Sequence, residues 1–337
     1  MVTDDQLTES KAIQRETGLT FHIATRFLPK RVRNATYVLY AFFRLADDVV
    51  DDPDPAPPSI QRRELERIRS AALGEIDTHD PVLTAFNEIR DQYGIADQEV
   101  TVFIDAMLED IADDTSSEPT AEFADTADLE EYLRGSAVAV GYMMLAIMEA
   151  EESDLAKPHA KALGEAFQLT NFLRDVREDI DQYQRVYIPQ ATLDRAGASV
   201  SSIVEYDPTP AFREAIRLEL ERAEETYRDG VAGIQYLPND CQFPVLMAAV
   251  FYAEYHRVIR KQHFDVLTSP PSLDGFRYVS LIVRTWITWK RTGDPERTFY
   301  AIAPIKETPH QPGGSSKRSR WGILGRYVGR DRMSWLE

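Results

Sequence analysis

Apolar residues recur at intervals of three and four along most of this chain, the period of a helix with one buried face. Alternating β-branched runs bounded by Asn-Gly or Asp-Gly turns, the marks of strands and hairpins, are scarce. The pattern predicts an all-α protein, with helices over residues 4–16, 31–52, 60–76, 81–93, 96–113, 127–150, 154–183, 209–234, 241–264 and 273–290. Breaks fall where turn chemistry requires them, at 52–58 (DPDPAPP), 114–120 (DTSSEPT), 185–189 and 269–272 (SPPS). No repeat of fixed period is visible. Residues 1–300 read as one helical domain and 301–337 as a basic tail rich in Pro, Gly and Ser.

Two helices depart from the usual division between a buried apolar stripe and a solvated polar face. Tyr40, Arg44, Asp47 and Asp51 follow one another at intervals of four, three and four, so they share a face, and Asp48 lies one residue around. These acids crowd the end of a helix before Pro53, where the backbone dipole is already negative and like charges one turn apart repel. Asp52 falls off the line and reads as acidic surface. In the second helix Gln168, Asn171, Asp175 and Asp179 recur at intervals of three, four and four, among Phe167, Phe172 and Val176. Amides and carboxylates on such a stripe need partners, which argues for a lined central cavity rather than a plain core.

Carboxylate oxygens without histidine or thiolate are ligands for a hard cation, Mg2+ or Mn2+. Magnesium held by one or two carboxylates completes its shell with water and substrate phosphate, so a phosphorylated substrate is expected. No G-x-x-x-x-G-K segment is present, which argues against a P-loop nucleotide hydrolase. Two facing acidic patches would repel by roughly 4 kcal/mol per close pair at intermediate dielectric. A diphosphate bridged by several cations resolves that repulsion.

Composition tempers this picture. At 337 residues and 43% hydrophobic the chain can bury one large core or two ordinary ones. Its net charge is −18, and 30 of its 38 basic residues are arginine, a balance resembling proteins of salt-loving organisms. In so acidic a chain DDVVDD alone is adequately explained as surface. Two stripes at matched spacing, each beside an arginine (Arg44, Arg174), are not. Wholesale nucleic-acid binding is disfavoured, because phosphate neutralisation needs basic surface. The single Cys241 excludes an intramolecular disulfide and a cysteine-cluster metal site, and the polar start MVTDDQLTES is no signal peptide, so a cytoplasmic location is expected. The apolar run 137–148 is about a dozen residues, short of the roughly twenty that span a bilayer. Residues 290–337 carry 10 basic and 5 acidic side chains (+5), leaving −23 for the remainder. Beyond 319, Trp321, Ile323, Leu324, Tyr327, Val328 and Trp335 interleave with Arg320, Arg326, Arg330 and Arg332. That mixture suits either peripheral membrane contact or docking on the chain's own acidic domain. Oligomeric state is left open.

YAFFRLADDVVDD, and above all NFLRDVRED followed by RVYIP, resemble the squalene/phytoene synthase family of head-to-head prenyltransferases, over roughly residues 15–290. The second segment looks more like phytoene synthases than squalene synthases. The resemblance implies an isoprenoid-synthase-type bundle, prenyl diphosphate substrates, and condensation of two geranylgeranyl diphosphates to phytoene through a cyclopropylcarbinyl diphosphate, with Mg2+ or Mn2+ and without NADPH. It implies metal ligation by Asp47, Asp48, Asp51, Asn171, Asp175 and Asp179, with Tyr40 and Arg44 in the catalytic set. It implies substrate contacts from Phe21, Arg44, Tyr132, Gln168, Asn171, Arg174, Arg185, Tyr187, Tyr252 and Arg277. YLRGSAVAVG departs from the family's VAGxVG pattern at Arg134, Ser136 and Val138, which leaves chain length open. Squalene synthesis from farnesyl diphosphate with NADPH is the nearest alternative. A head-to-tail synthase would repeat DDxxD in its second motif. A di-iron bundle would need Glu-x-x-His pairs, and the only such spacing, Glu307 to His310, lies among prolines. A non-catalytic prenyl-lipid-binding protein is the alternative outside enzymes.

Overall fold

The computed structural model describes residues 19–52, 54–111 and 121–307. No strand forms among them. An isolated parallel bridge pairs Ala121 with Val186. The first five helices are α1 (Leu19–Thr25), α2 (Lys30–Val50), α3 (Pro58–Ala72), α4 (Pro81–Tyr93) and α5 (Asp97–Glu109). A π turn, Arg134–Val138, joins α6 (Thr126–Leu133) to α7 (Ala139–Met148), and the long α8 (Ser153–Tyr183) follows. The remainder are α9 (Gln190–Ala196), α10 (Val200–Val204), α11 (Pro210–Val231), α12 (Asn239–Lys261), α13 (Gly275–Thr292) and α14 (Pro295–Ile302).

Capping chemistry sets many of these limits. Asp80, Asp125, Thr209, Asp274 and Asp294 accept hydrogen bonds from the first-turn N–H groups of α4, α6, α11, α13 and α14. Gly94 and Gly293 end α4 and α13 at φ of 63° and 62°, a conformation that suits a residue without Cβ. The helix expected over 127–150 is interrupted by the π turn. The one expected over 31–52 stops at Val50, with Asp51 as its C-cap. Helices α1, α9, α10 and α14 were not expected, since each has eight residues or fewer, too short for a period to register. Helix α14 carries the helical body past the boundary expected at 300. The helix expected over 4–16 and the tail aromatics lie outside the described residues.

Two apolar clusters flank a central space. One unites α2–α5 and α7, where Phe42 stacks on Phe86 with ring centroids 4.0 Å apart. The other unites α8 with α11–α14 around the fully buried Tyr227, Phe251 and Phe299. Backbones touch where α8 is gripped. A Cβ on Gly164 would lie 2.9 Å from Ala137 O in the π turn, and one on Gly230 would lie 2.7 Å from Leu163 N. Between the clusters remains a cavity of about 1110 Å³. Among the described residues no helix is long and apolar enough to cross a membrane.

Candidate active site

Three helices aim their C-terminal ends at one mouth of this cavity. Arg185, two residues beyond α8, reaches Asp110, the C-cap of α5, with Nη1 2.9 Å from Oδ1. Tyr183, the last residue of α8, lies beside Asp51, the C-cap of α2, and draws its carboxyl down. Each helix end contributes partial negative charge from its carbonyls. Asp47, Asp51, Asp110, Asp175 and Asp179 all line the cavity here, and acids outnumber the arginines Arg44, Arg174, Arg177 and Arg185.

The two stripes behave as their spacing predicts. Tyr40, Arg44, Asp47 and Asp51 of α2 and its cap line the cavity, as do Gln168, Asn171, Asp175 and Asp179 of α8. Burial, then the neighbouring Asp51, pushes the Asp47 carboxyl up to about 7, against the opposing pull of Arg44. Burial, then Asp175, pushes Asp179 up to about 8. Asp51 is raised by burial, although Arg185 and Arg44 draw it down. Arg174 forks onto its neighbour Asp175, with Nε 2.6 Å from Oδ1, and its guanidinium lies 5.2 Å from the ring centre of Tyr255. Asn171 Nδ2 donates to Gln168 Oε1 at 3.3 Å, whereas the buried Asn171 Oδ1 has no hydrogen-bond partner among the described residues.

The RVYIP segment is held in place by backbone pairing. Glu122 N–H donates to Val186 O at 3.0 Å and Gln190 N–H to Phe123 O at 2.9 Å, so Arg185 and Tyr187 are presented from an extended stretch rather than a helix. Tyr187 stacks on Phe172 (4.2 Å between centroids), and its hydroxyl accepts from Arg185 Nη1 at 3.1 Å. Tyr132 Oη donates to Asp110 Oδ2 at 3.1 Å. Burial holds the Tyr132 and Tyr187 phenols well above their ordinary range, so both remain protonated. Tyr252 stacks on Phe167 at 4.6 Å, and burial pushes its phenol up to about 12. Deeper walls are apolar, including Leu39, Phe43, Val140, Met144, Met148 and Leu163.

Two residues expected at the site lie elsewhere. Arg277 does not line the cavity, because its Nε sits 2.6 Å from Glu254 Oε1, a nearly buried acid that claims it. Asp48 is also off the cavity wall. One residue of helical rotation turns it outward, where its half-exposed carboxylate meets Arg44 Nε at 2.8 Å. Asp52 is exposed, as expected. The Phe21 side chain lies outside the described residues. Of the three departures in the π turn only Ser136 reaches the cavity. Arg134 turns to Glu99 at 2.8 Å, and Val138 is core.

Asp110 and Tyr183 also line the cavity, although neither belongs to the two stripes. Asp110 lines up with Phe103 and Met107 at intervals of three and four, and all three face the cavity. An acid closing an apolar stripe was therefore a usable signal. Burial pushes its carboxyl up to about 6, although Arg185 and Tyr132 oppose the shift. Tyr183 carried no such signal, since its partner Asp51 lies far away in sequence.

Among the described residues no three His, Cys, Asp or Glu side chains form a metal cluster by themselves. The donors nonetheless fit a hard cation shared with a ligand. All are oxygens, Asn171 Oδ1 is buried without a partner among the described residues, and burial, then neighbouring acids, raises Asp47 and Asp179.

An all-α bundle with arginines and carboxylates around the mouth of a deep apolar cavity is the architecture of an isoprenoid-handling enzyme. The squalene/phytoene synthase family matches residues 14–277, most of the chain, and the protein belongs to that family. It is 31% identical over 264 residues to the 15-cis-phytoene synthase of Paracoccus sp., covering 77% of this chain and 84% of that protein. It is 28% identical over 271 residues to the phytoene synthase of Rhodobacter capsulatus, covering 80% and 77%. A crystal structure of a dehydrosqualene synthase superposes with a TM-score of 0.72 at 28% identity, covering 85% of this chain and 97% of that one. Squalene synthase HpnC from Alicyclobacillus acidocaldarius shares the fold at a TM-score of 0.66.

Proposed function

We propose that this protein condenses two geranylgeranyl diphosphates head to head into phytoene, releasing diphosphate. The observation that carries the proposal is the division of one cavity into a charged mouth, where the ends of α2, α5 and α8 meet, and an apolar interior. At about 1110 Å³ it exceeds the upper range of roughly 1,000 Å³ for an ordinary single-ligand pocket, as two prenyl chains require.

Asp47, Asp51, Asn171, Asp175 and Asp179 would hold Mg2+, which when bound neutralises the diphosphates and makes them better leaving groups. Arg44, Arg174 and Arg185 lie where they can stabilise negative charge as an allylic C–O bond breaks. The second substrate's double bond then attacks the allylic cation, and loss of a proton from the resulting cation closes the ring of a cyclopropylcarbinyl diphosphate. A second ionisation, rearrangement and proton loss complete the hydrocarbon. Phe43, Phe167, Tyr252 and the apolar walls keep water from the cations, and the ring faces stabilise positive charge.

The relatives named phytoene synthase favour the twenty-carbon donor. The similarity to a dehydrosqualene synthase favours a second reading with the fifteen-carbon donor. Incubation of the purified protein with Mg2+ and either farnesyl or geranylgeranyl diphosphate, with and without NADPH, followed by mass spectrometry, separates them. Phytoene formed without NADPH supports the proposal; a thirty-carbon product alone overturns it.

A further inference from the structure

Large apolar side chains are exposed at nine described positions. Four of these (Phe27, Ile60, Ile76 and Leu155) are scattered, which is ordinary for a protein surface. The other five stand on α13: Phe276 (83% exposed), Val279 (58%), Val283 (49%), Trp286 (52%) and Ile287 (38%). Their intervals of three, four, three and one place them on one face. The opposite face is already used, since Tyr278, Leu281 and Thr285 are buried and Tyr278 Oη lies 2.6 Å from Thr20 Oγ1. Helix α13 is thus apolar on two sides, and only one packs on this chain's described residues.

Charge indicates what covers the second side. The chain is −18 overall, yet α13 carries Arg277, Arg284, Lys290 and Arg291 and no acidic residue. Arg277 is bound to Glu254, while Arg284, Lys290 and Arg291 are exposed. On a helical wheel Arg284 and Arg291 run along one edge of the apolar row, and Lys290 lies within it at the C-terminal end. Aromatic and aliphatic side chains on one face with a basic border describe a helix that lies in the plane of a lipid surface. A second copy packed antiparallel through α13 would set these basic edges against each other, and in either orientation Lys290 would be buried in the contact. Position agrees as well. Residues 270–273 line the cavity and lead directly into α13, so the row begins at the cavity rim.

We propose that the Phe276–Ile287 face of α13 is a docking surface for a bilayer bearing anionic headgroups. The row lies flat in the headgroup region, and Arg284, Lys290 and Arg291 contact lipid phosphates. This surface places the cavity rim against the compartment that holds long-chain prenyl lipids.

The test is flotation of the full chain with vesicles of phosphatidylcholine alone or mixed with phosphatidylglycerol, with circular dichroism to verify folding. The wild type is expected to float with the anionic vesicles and to dissociate as salt is raised. The double variant Phe276→Ser, Trp286→Ser should lower the bound fraction at limiting lipid by roughly tenfold. Arg284→Glu with Arg291→Glu should abolish the preference for phosphatidylglycerol. Both pairs are exposed and outside the cavity, so folding should be preserved. Absence of wild-type binding, or wild-type binding by folded double variants, overturns the proposal. So does a wild-type dimer that light scattering shows to dissociate in the serine variant while vesicle binding is unchanged, because the row would then be a contact between copies.

Discussion

Arg185 Nη1 stands 2.9 Å from Asp110 Oδ1, joining the stretch after α8 to the end of α5. Asp110 also accepts from Tyr132, and Arg185 also donates to Tyr187, so four side chains from three parts of the chain close one side of the cavity mouth. An arginine placed this way is oriented before any diphosphate arrives, which reduces the reorganisation that catalysis would otherwise require.

Asp110→Ala should therefore affect both stability and rate. Removing a mostly buried acid takes the carboxylate acceptor from Tyr132 and Arg185 and, at position 110, leaves Arg185 only the backbone carbonyl, at a cost of about 2–3 kcal/mol in urea denaturation. Turnover should fall roughly 10- to 100-fold as Arg185 loses its orientation. Asp110→Asn, which keeps an acceptor, should recover part of both losses. Wild-type stability in the alanine variant would show that the contact is dispensable.

Asp47→Ala and Asp175→Ala should fold normally yet lose turnover by roughly a thousandfold or more. Calorimetry supplies an independent readout. Mg2+ with inorganic diphosphate should raise the melting temperature of the wild type, equivalent to about 2.7 kcal/mol at a hundredfold excess over the dissociation constant. Chelation should reverse the increase, and either variant should blunt it. Full activity in either variant would overturn the assignment.

Beneath α8, Thr170 Oγ1 lies 2.9 Å from His256 Nε2, while Glu224 faces His256 Nδ1 at 3.4 Å and Arg260 at 2.6 Å. Burial holds His256 below its ordinary 6.5, against the opposing effect of Glu224. The unfolded chain then takes up the proton first, so stability is intact above 6.5 and falls as pH drops below it, by at most about 1.4 kcal/mol per pH unit. Burial acts to raise Glu224, but the hydrogen bond from His256 and the ion pair with Arg260 outweigh it and hold the acid low. Its contribution is lost only in stronger acid. Melting temperatures of wild type and His256→Gln measured from pH 7 to 5 should converge as pH falls; parallel curves would refute this origin.

Gly164→Ala tests the grip on α8. The added methyl would meet a backbone carbonyl at 2.9 Å, which cannot rotate away. A cost of about 1–3 kcal/mol in chemical denaturation is expected. Gly94→Ala, whose Cβ would meet nothing within 4 Å, separates steric crowding from the strain of its positive φ.

How much of this was legible before folding varies with the length of the interaction along the chain. The fold class, the major helices and both polar stripes were readable, because residues three and four apart share a helix face whatever the tertiary structure. Asp47, Asp51, Asn171, Asp175 and Asp179 fall on those stripes, and all five line the cavity. Asp48 stands off the cavity wall for a related reason: one residue of rotation is small in sequence but large enough to turn a carboxylate to solvent. The short helices α1, α9, α10 and α14 offered too few turns for a period.

What lies opposite a stripe is a different kind of information. That Asp110 faces Arg185, that Tyr183 meets Asp51, and that Glu254 withdraws Arg277 from the cavity are contacts between distant segments, set by how helices pack. The same holds for the second apolar face of α13, whose pattern alone reads as core. Which side chains share a helix face follows from residue order, since backbone geometry is local and periodic. Which faces meet across the cavity and which remain exposed emerges only when the helices pack, since those contacts join segments far apart along the chain.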